Sequence, residues 1–223
     1  MTERILILLA SNSPRRRELI SLGNWSFSIS VSNVDESLRA GETPGDYVRR
    51  LADSKARAAS GHASPEHIIV AADTAVVDDD MILGKPKDMA DAAQMLQRLR
   101  GHTHQVYTGL SVIKMKNGRS INEVCVTDVP MRNYSDEEIS LYVQTGDPLD
   151  KAGAYAIQHA HFQPVENMGG CFASVMGLPL CHLTRALRKL HVTPDADIPN
   201  NCQTYLHYQC PVSRAILRGE QVG

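Results

Sequence analysis

The run Ile5-Leu6-Ile7-Leu8-Leu9-Ala10-Ser11-Asn12-Ser13-Pro14-Arg15-Arg16-Arg17-Glu18-Leu19 decides the fold. Ile5 to Leu9 is short, apolar and stopped at once by a polar turn, the pattern of a buried strand. Ser13 suits a helix N-cap, and Pro14 suits the first helical position, where a missing N–H costs nothing. Leu19, Ile20 and Leu22 give that helix an apolar side before Gly23 stops it. A buried strand feeding directly into a capped helix is the building unit of α/β proteins.

Working outward, Phe27, Ile29 and Val31 alternate with serines, which predicts a half-buried strand ending near Asp35-Glu36. Thr43, Pro44 and Asp46 mark the start of a helix running to about Ser60. Ile68 to Ala72 reads as a second continuous strand that delivers Asp73 and Thr74 to its end or just beyond. Asp88 caps a helix over Ala90 to Leu99, and Lys116-Asn117-Gly118 joins strands Val106 to Met115 and Ile121 to Val129 in a hairpin. Ser135 and Glu138 form a capping box for a helix to about Gln144, and Leu180, Leu183, Leu187 and Leu190 line a last helix. The expected class is mixed α/β, a twisted sheet flanked by helices. Residues 1–193 carry all these elements. Beyond Pro194 the composition shifts to Asp, Asn, Gln, Tyr and Cys without clear periodicity, so 194–223 is expected to be a tail or docking extension.

With 223 residues, 43% of them hydrophobic and 22% charged, the chain has the composition of a globular protein rather than a disordered one. Its 23 Lys and Arg against 25 Asp and Glu leave no basic field for non-specific nucleic-acid binding, so an anionic ligand must meet a local cluster. Ile5 to Ala10 is shorter than a signal-peptide core and far short of the ~20 residues that cross a bilayer, so a cytoplasmic protein without membrane partners is expected. The five cysteines show no Cys-x-x-Cys pair, so reduced thiols are expected rather than a disulfide framework.

Four places carry candidate chemistry. Arg15, Arg16 and Arg17 stand in a first helical turn, where the macrodipole disfavours cations. They are either a solvated face or, with Ser13 and the free N–H groups, a phosphate site. Lys55 lies seven residues after Val48 on the protein-facing stripe of its helix, so it either snorkels at the core edge or aims into a cleft. Asp73, after a buried strand, needs a partner, a hydrogen bond or a metal. With Glu36 it could hold a divalent cation or orient a water, or the two could merely cap backbone and face solvent. Gly84-Lys85-Pro86 is not a P-loop, because Pro stands where Ser or Thr is needed, yet a lysine in a constrained turn can neutralise phosphate. His102 with His104, His159 with His161, and Cys202, His207 and Cys210 are weaker metal candidates; turn or surface positions are the ordinary reading of those four histidines.

These segments together resemble the Maf-like nucleotide pyrophosphatases. The likeness rests on Leu9 to Leu19, Asp35-Glu36, Leu51-Ala52 with Lys55-Ala56, Ala72-Asp73-Thr74 and Gly84-Lys85-Pro86. It continues through Gly101 with His104, Val106 and Thr108-Gly109, then Asp150 to Tyr155 with Ile157-Gln158, and Gly177 to Leu180. It implies two lobes around a central cleft, of the kind shared with inosine triphosphate pyrophosphatases. It also implies hydrolysis of nucleoside triphosphates to monophosphate and pyrophosphate with a divalent cation, magnesium, manganese or cobalt. By that resemblance Asp73 is the proton acceptor and, with Glu36, a metal ligand. Arg15, Thr74 and Gln158 match positions tied to base selection, and Ser13, Arg16, Lys55 and Lys85 match other polar positions of the cleft. Asp73-Thr74 and Ala154 to Gln158 look like the branch acting on dTTP and UTP in a house-cleaning role, and a homodimer is compatible with it. The alternatives are a 7-methyl-GTP pyrophosphatase of the same family and a non-catalytic nucleotide-binding regulator of cell division. His159-Ala160-His161 stands where the family usually has a glycine-rich turn.

Overall fold

The computed structural model describes residues 5–31 and 33–223. Strand β1 (Leu6–Leu9) leads into helix α1 (Pro14–Ser21), where the Ser13 hydroxyl accepts from the Arg16 N–H. Strand β2 (Ser26–Ile29) is shorter than its alternation predicts. Val31 is exposed, and the chain beyond Ile29 leaves the sheet as irregular backbone. Helix α2 (Pro44–Ser60) has the predicted bounds, with Thr43 as its cap.

Strand β3 (His67–Asp78) is the central element and corrects the expected strand end. Asp73 and Thr74 sit in its middle because the pairing with strand β5 (Thr103–Lys114) continues unbroken from Ile68↔Lys114 to Val77↔Gln105. Strand β4 (Met81–Leu83) turns back on β3, helix α3 (Met89–Leu99) follows, and strand β6 (Arg119–Pro130) pairs antiparallel with β5. The sheet order is β2-β1-β3-β5-β6 with β4 on β3, and β1 runs parallel to both β2 and β3. Helix α4 (Asp136–Gln144) has the predicted capping box, a short turn α5 (Phe172–Val175) follows, and α6 (Leu180–Lys189) is the leucine-lined helix.

The two faces of the sheet bury different elements, as the period of two along a strand requires. Ile68, Val70, Ala72 and Val76 of β3 join the main core with α1, α3, α4 and α6, whereas Ile69 and Ala71 pack against Ala56 and Ala59 of α2. Asp73 therefore belongs to the α2 face and Thr74 to the opposite one. Residues 194–223 form two further helices, α7 (Ile198–Leu206) and α8 (Ser213–Arg218), whose Ile198, Cys202 and Ile216 are buried. Arg185 of α6 binds Glu123 of β6 and also donates to Ile216 O and Glu220 O, so the extension is fastened to the body of the molecule. No helix among the described residues is long and apolar enough to cross a membrane.

Candidate active site

The site lies where one edge of β3 is left open. β5 occupies the other edge along its length. On the open side β1 pairs only as far as Leu9↔Val70, and β4 pairs only from Val76↔Leu83 onward. Residues 71–75 of β3 thus face a gap. The Ser11–Arg16 turn enters it from the end of β1, and Gly84-Lys85-Pro86 lies just beyond the end of β4.

On the α2 face, Lys55 Nζ donates to Asp73 Oδ1 at 2.5 Å and lies 2.7 Å from Glu36 Oε1. This resolves the two readings of Lys55: it points at the carboxylate rather than snorkelling to water. The close approach of α2 depends on Gly109, directly across β5 from Asp73, because a Cβ there would stand 2.3 Å from Val48 O. The Glu36 segment is held by α2 as well. Arg50 donates to Ser37 O at 3.0 Å and to both Glu42 oxygens at 2.5 and 2.8 Å, while Tyr47 OH donates to Glu36 O at 3.0 Å. The Arg50 guanidinium draws the Glu42 carboxyl down to about 2. Burial, with the charges of Asp73 and Glu36 beside it, pushes the Tyr47 hydroxyl up.

On the opposite face Arg16 is braced from three directions. Its Nε donates to Gly177 O at 2.9 Å, Nη1 to Ser11 Oγ at 3.3 Å and Nη2 to Thr74 Oγ1 at 3.2 Å. Burial lowers its pKa against the pull of Asp73. Gly177 sits at φ +107°, and a Cβ there would come within 3.1 Å of Arg16 Nε, so the turn needs glycine twice over. Thr108 donates its only hydroxyl proton to Ser174 O at 2.9 Å, so in the 3.0 Å contact between the two threonines Thr74 is the donor. Thr74 thereby orients Arg16.

Arg15 is half-buried, Lys85 and Gln158 are exposed, and among the described residues none of the three has a side-chain hydrogen bond or ion pair. Ser13 caps α1 through its hydroxyl, which accounts for its place without a ligand. Gln158 lies on the turn after Ala156-Ile157, and no hydrogen bond links it to Arg15 or Thr74. Ser11, which receives Arg16, and the close-approach Gly109 lie in stretches that carry the family resemblance, but their contacts are not legible there. The anchors Tyr47 and Arg50 carry little signal, because ordinary helix-surface residues become recognisable only through long-range contacts.

The histidine pairs do not form metal sites. His102 joins Arg98 on the Asp78 carboxylate. His104, expected in a turn or at the surface, is buried against Tyr155 OH at 2.9 Å, and burial lowers its pKa to about 4. Among the described residues no group of three or more His, Cys, Asp or Glu is gathered to hold an ion. Asp73 and Glu36 are nonetheless hard oxygen donors converging on one point, now held by the Lys55 ammonium. That donor set fits a divalent cation whose remaining ligands come from phosphate oxygens and water.

Comparison with known proteins places the chain in a family. Residues 6–190 match the family model described as Maf-like protein. A dTTP/UTP pyrophosphatase of Geotalea uraniireducens is 45% identical over 82% of this chain and 94% of its own length. Proteins of the same name from Bacillus cytotoxicus and Vibrio cholerae are 43% and 42% identical, over 82% of this chain and 94% and 97% of theirs. The solved Staphylococcus aureus Ham1 protein aligns with a TM-score of 0.37 at 13% identity over 67% of this chain and 85% of that one, too loosely to bear on the site. The chain belongs to the Maf-like protein family.

Proposed function

We propose that this protein is a nucleoside triphosphate pyrophosphatase that hydrolyses dTTP and UTP to the monophosphate and pyrophosphate. The observation that carries the reading is an unsaturated charge cluster at an open strand edge. Asp73 and Arg16 are fixed by neighbours, while Arg15 and Lys85 have no partner among the described residues. A triphosphate brings the negative charge that such a group lacks, and the names of the relatives supply the substrate class.

The chain's own residues divide the work. Arg15 and Lys85 meet phosphate oxygens, and Arg16, held by Ser11, Thr74 and Gly177, presents a fixed positive charge across the gap. Asp73 accepts the proton of a water that attacks the α-phosphorus, the bond to the β-phosphate bridge breaks, and pyrophosphate leaves. Lys55 keeps the Asp73 oxygen in place and offsets the cost of burying its charge. Asp73 and Glu36 would hold the divalent cation, which when bound screens the charge developing on the leaving pyrophosphate. Fixed positive groups do the same without reorganising during the reaction.

Base choice rests on smaller groups. A pyrimidine with two carbonyls and a ring N–H can be read by the Gln158 amide, which donates and accepts. A base with the wrong pattern leaves such partners unpaired at a cost of about 1–3 kcal/mol each. The test is pyrophosphate release from a panel of triphosphates with a divalent cation. We expect dTTP and UTP to outrank dATP, dGTP and 7-methyl-GTP, and Gln158→Ala to narrow the gap while hydrolysis of the favoured pair persists. A preference for 7-methyl-GTP removes the base assignment and leaves the reaction type; no release from any triphosphate removes both.

A further inference from the structure

Lys151 is a buried cation, 7% exposed, between the two short turns Asp147–Asp150 and Ala152–Ala154. Its Nζ donates to Asp147 O at 2.5 Å, to Asp147 Oδ1 at 2.9 Å and to Asp150 Oδ1 at 2.6 Å, so all three of its N–H groups are used. Nothing is left for a phosphate. A buried charge of this kind is a costly way to stabilise a fold, since apolar residues of the same volume often do as well. Every one of these partners lies within four residues of Lys151, so the charge sets the shape of one local turn rather than tying distant elements together.

Two segments of the candidate site hang on that turn. On one side Asp147 Oδ2 accepts from Tyr142 OH at 2.7 Å, and the same hydroxyl oxygen accepts the Ala156 N–H at 3.1 Å. Ala156 opens the turn that carries Gln158. His159 closes it, donating its N–H to Ala156 O at 3.1 Å and accepting the Phe162 N–H on Nδ1 at 2.9 Å. The His159 and Phe162 rings lie 4.7 and 4.3 Å from the Tyr142 ring, so the turn is packed on Tyr142 as well as bonded to it. On the other side the Gly153 N–H donates to Gly84 O at 3.1 Å, immediately before Lys85. A Cβ on Gly153 would meet Val76 Cγ1 at 2.9 Å, which places the turn against β3 two residues beyond Thr74.

We propose that Lys151 is a positioning residue for substrate recognition, a role that rests on the proposed parts of Lys85 and Gln158 in holding the triphosphate. Through Asp147 and Tyr142 it sets the turn of Gln158, and through Gly153 it sets the turn of Gly84-Lys85. One buried ammonium thereby fixes the spacing between the group that reads the base and the group that meets phosphate. Asp73 and Arg16 are held by other segments, Lys55 for the first and Ser11, Thr74 and Gly177 for the second, so the chemical step does not lean on this turn.

The experiment measures kcat and KM for dTTP, UTP and dGTP in the full chain and in its Lys151→Met and Tyr142→Phe variants, together with inhibition by inorganic tripolyphosphate, which has the phosphates and no base. In Lys151→Met we expect KM for dTTP and UTP to rise about tenfold, the worth of one well-placed hydrogen bond, with kcat little changed. Tripolyphosphate inhibition should weaken and the preference over dGTP should narrow. Tyr142→Phe keeps the ring between His159 and Phe162 and loses only the hydroxyl, so the preference over dGTP should narrow while tripolyphosphate inhibition holds. A merely structural lysine would lower the thermal midpoint and leave KM and preference at the parent's values; that result in a folded Lys151→Met protein overturns the proposal. If Lys151→Met does not fold, Tyr142→Phe decides, and a parent-like preference in it overturns the proposal. A parent chain that releases no pyrophosphate from any triphosphate removes the proposed function and this role with it, whereas an active parent with unchanged variants removes the positioning role alone.

Discussion

Two charge clusters in this molecule, one buried and one at an open strand edge, each built round a carboxylate paired with a cation, differ in how fully they are satisfied. At the extension, Glu123 receives Arg185 through Nε and Nη2 and Lys189 at 2.9 Å, while Arg185 Nη1 reaches Ile216 O at 3.1 Å and Glu220 O at 2.8 Å. Every nitrogen of that guanidinium is engaged. At the open edge of β3, Lys55 bridges Asp73 and Glu36, yet among the described residues Arg15 and Lys85 have no side-chain hydrogen bond or ion pair, and Glu36 is largely exposed, at 59% of its side chain. A saturated cluster has nothing left to offer a ligand and serves the fold. The unsaturated one has spare charge on segments beside the open edge of β3, which is the property a binding site requires.

The largest effect should come from breaking the saturated cluster. Arg185→Ala leaves Glu123 buried with only Lys189, and removing one partner of a buried pair costs about 3–5 kcal/mol. A large drop in thermal midpoint is expected, with pyrophosphate release per folded molecule little changed. Replacing both partners with apolar residues, Arg185→Met with Glu123→Leu, should recover much of the stability, because no uncompensated charge remains. If Arg185→Ala unfolds at the parent temperature, the extension is not fastened in the way described.

The mirror experiment targets the unsaturated cluster. Lys85→Ala removes an exposed side chain that has no partner among the described residues, so its stability should stay within about 0.5 kcal/mol of the parent. Its KM for the triphosphate should rise several-fold. A melting temperature that falls while KM holds would make Lys85 structural and erase the contrast.

The smallest effect concerns acid. Glu42 is drawn from its ordinary value of 4.5 down to about 2 by Arg50, so its folded state binds a proton less readily than the unfolded chain. Its stabilisation is complete above pH 4.5 and is lost as the pH falls from there through about 2. Because Arg50 also holds Ser37 O, the loss loosens the segment that carries Glu36. Glu42→Gln should flatten the curve of thermal midpoint against pH between 4.5 and 2; an unchanged slope would mean that the pair contributes nothing to acid sensitivity.

Much of this architecture was legible in local sequence. Thr43-Pro44 gave both the cap and the start of α2, and the seven-residue spacing from Val48 brought Lys55 to the buried stripe, although only the structure shows that it meets Asp73. The length of β3 was not legible. Asp73 and Thr74 look like strand-ending residues, and only pairing with β5, thirty-odd residues along the chain, carries the strand through them. The helices of the extension are not legible for a related reason. Asp197 caps α7 with Pro199 in its first turn, a readable start signal, but few apolar residues follow, and those helices are held by contacts with α1 and α6. Asn201 Nδ2 donates to Leu22 O at 2.9 Å and Tyr205 OH to Glu18 at 3.1 Å, neither of which any local pattern announces.

The central claim is that Asp73 acts on the attacking water rather than merely pairing with Lys55. Asp73→Asn keeps the shape and a hydrogen-bond acceptor for Lys55 while removing the proton acceptor. Measured as pyrophosphate release from dTTP and UTP at saturating substrate, alongside the thermal midpoint, turnover should fall at least ~100-fold, the lower end of a general-base contribution, with the fold retained. Turnover close to the parent's in a folded Asp73→Asn protein would contradict the account.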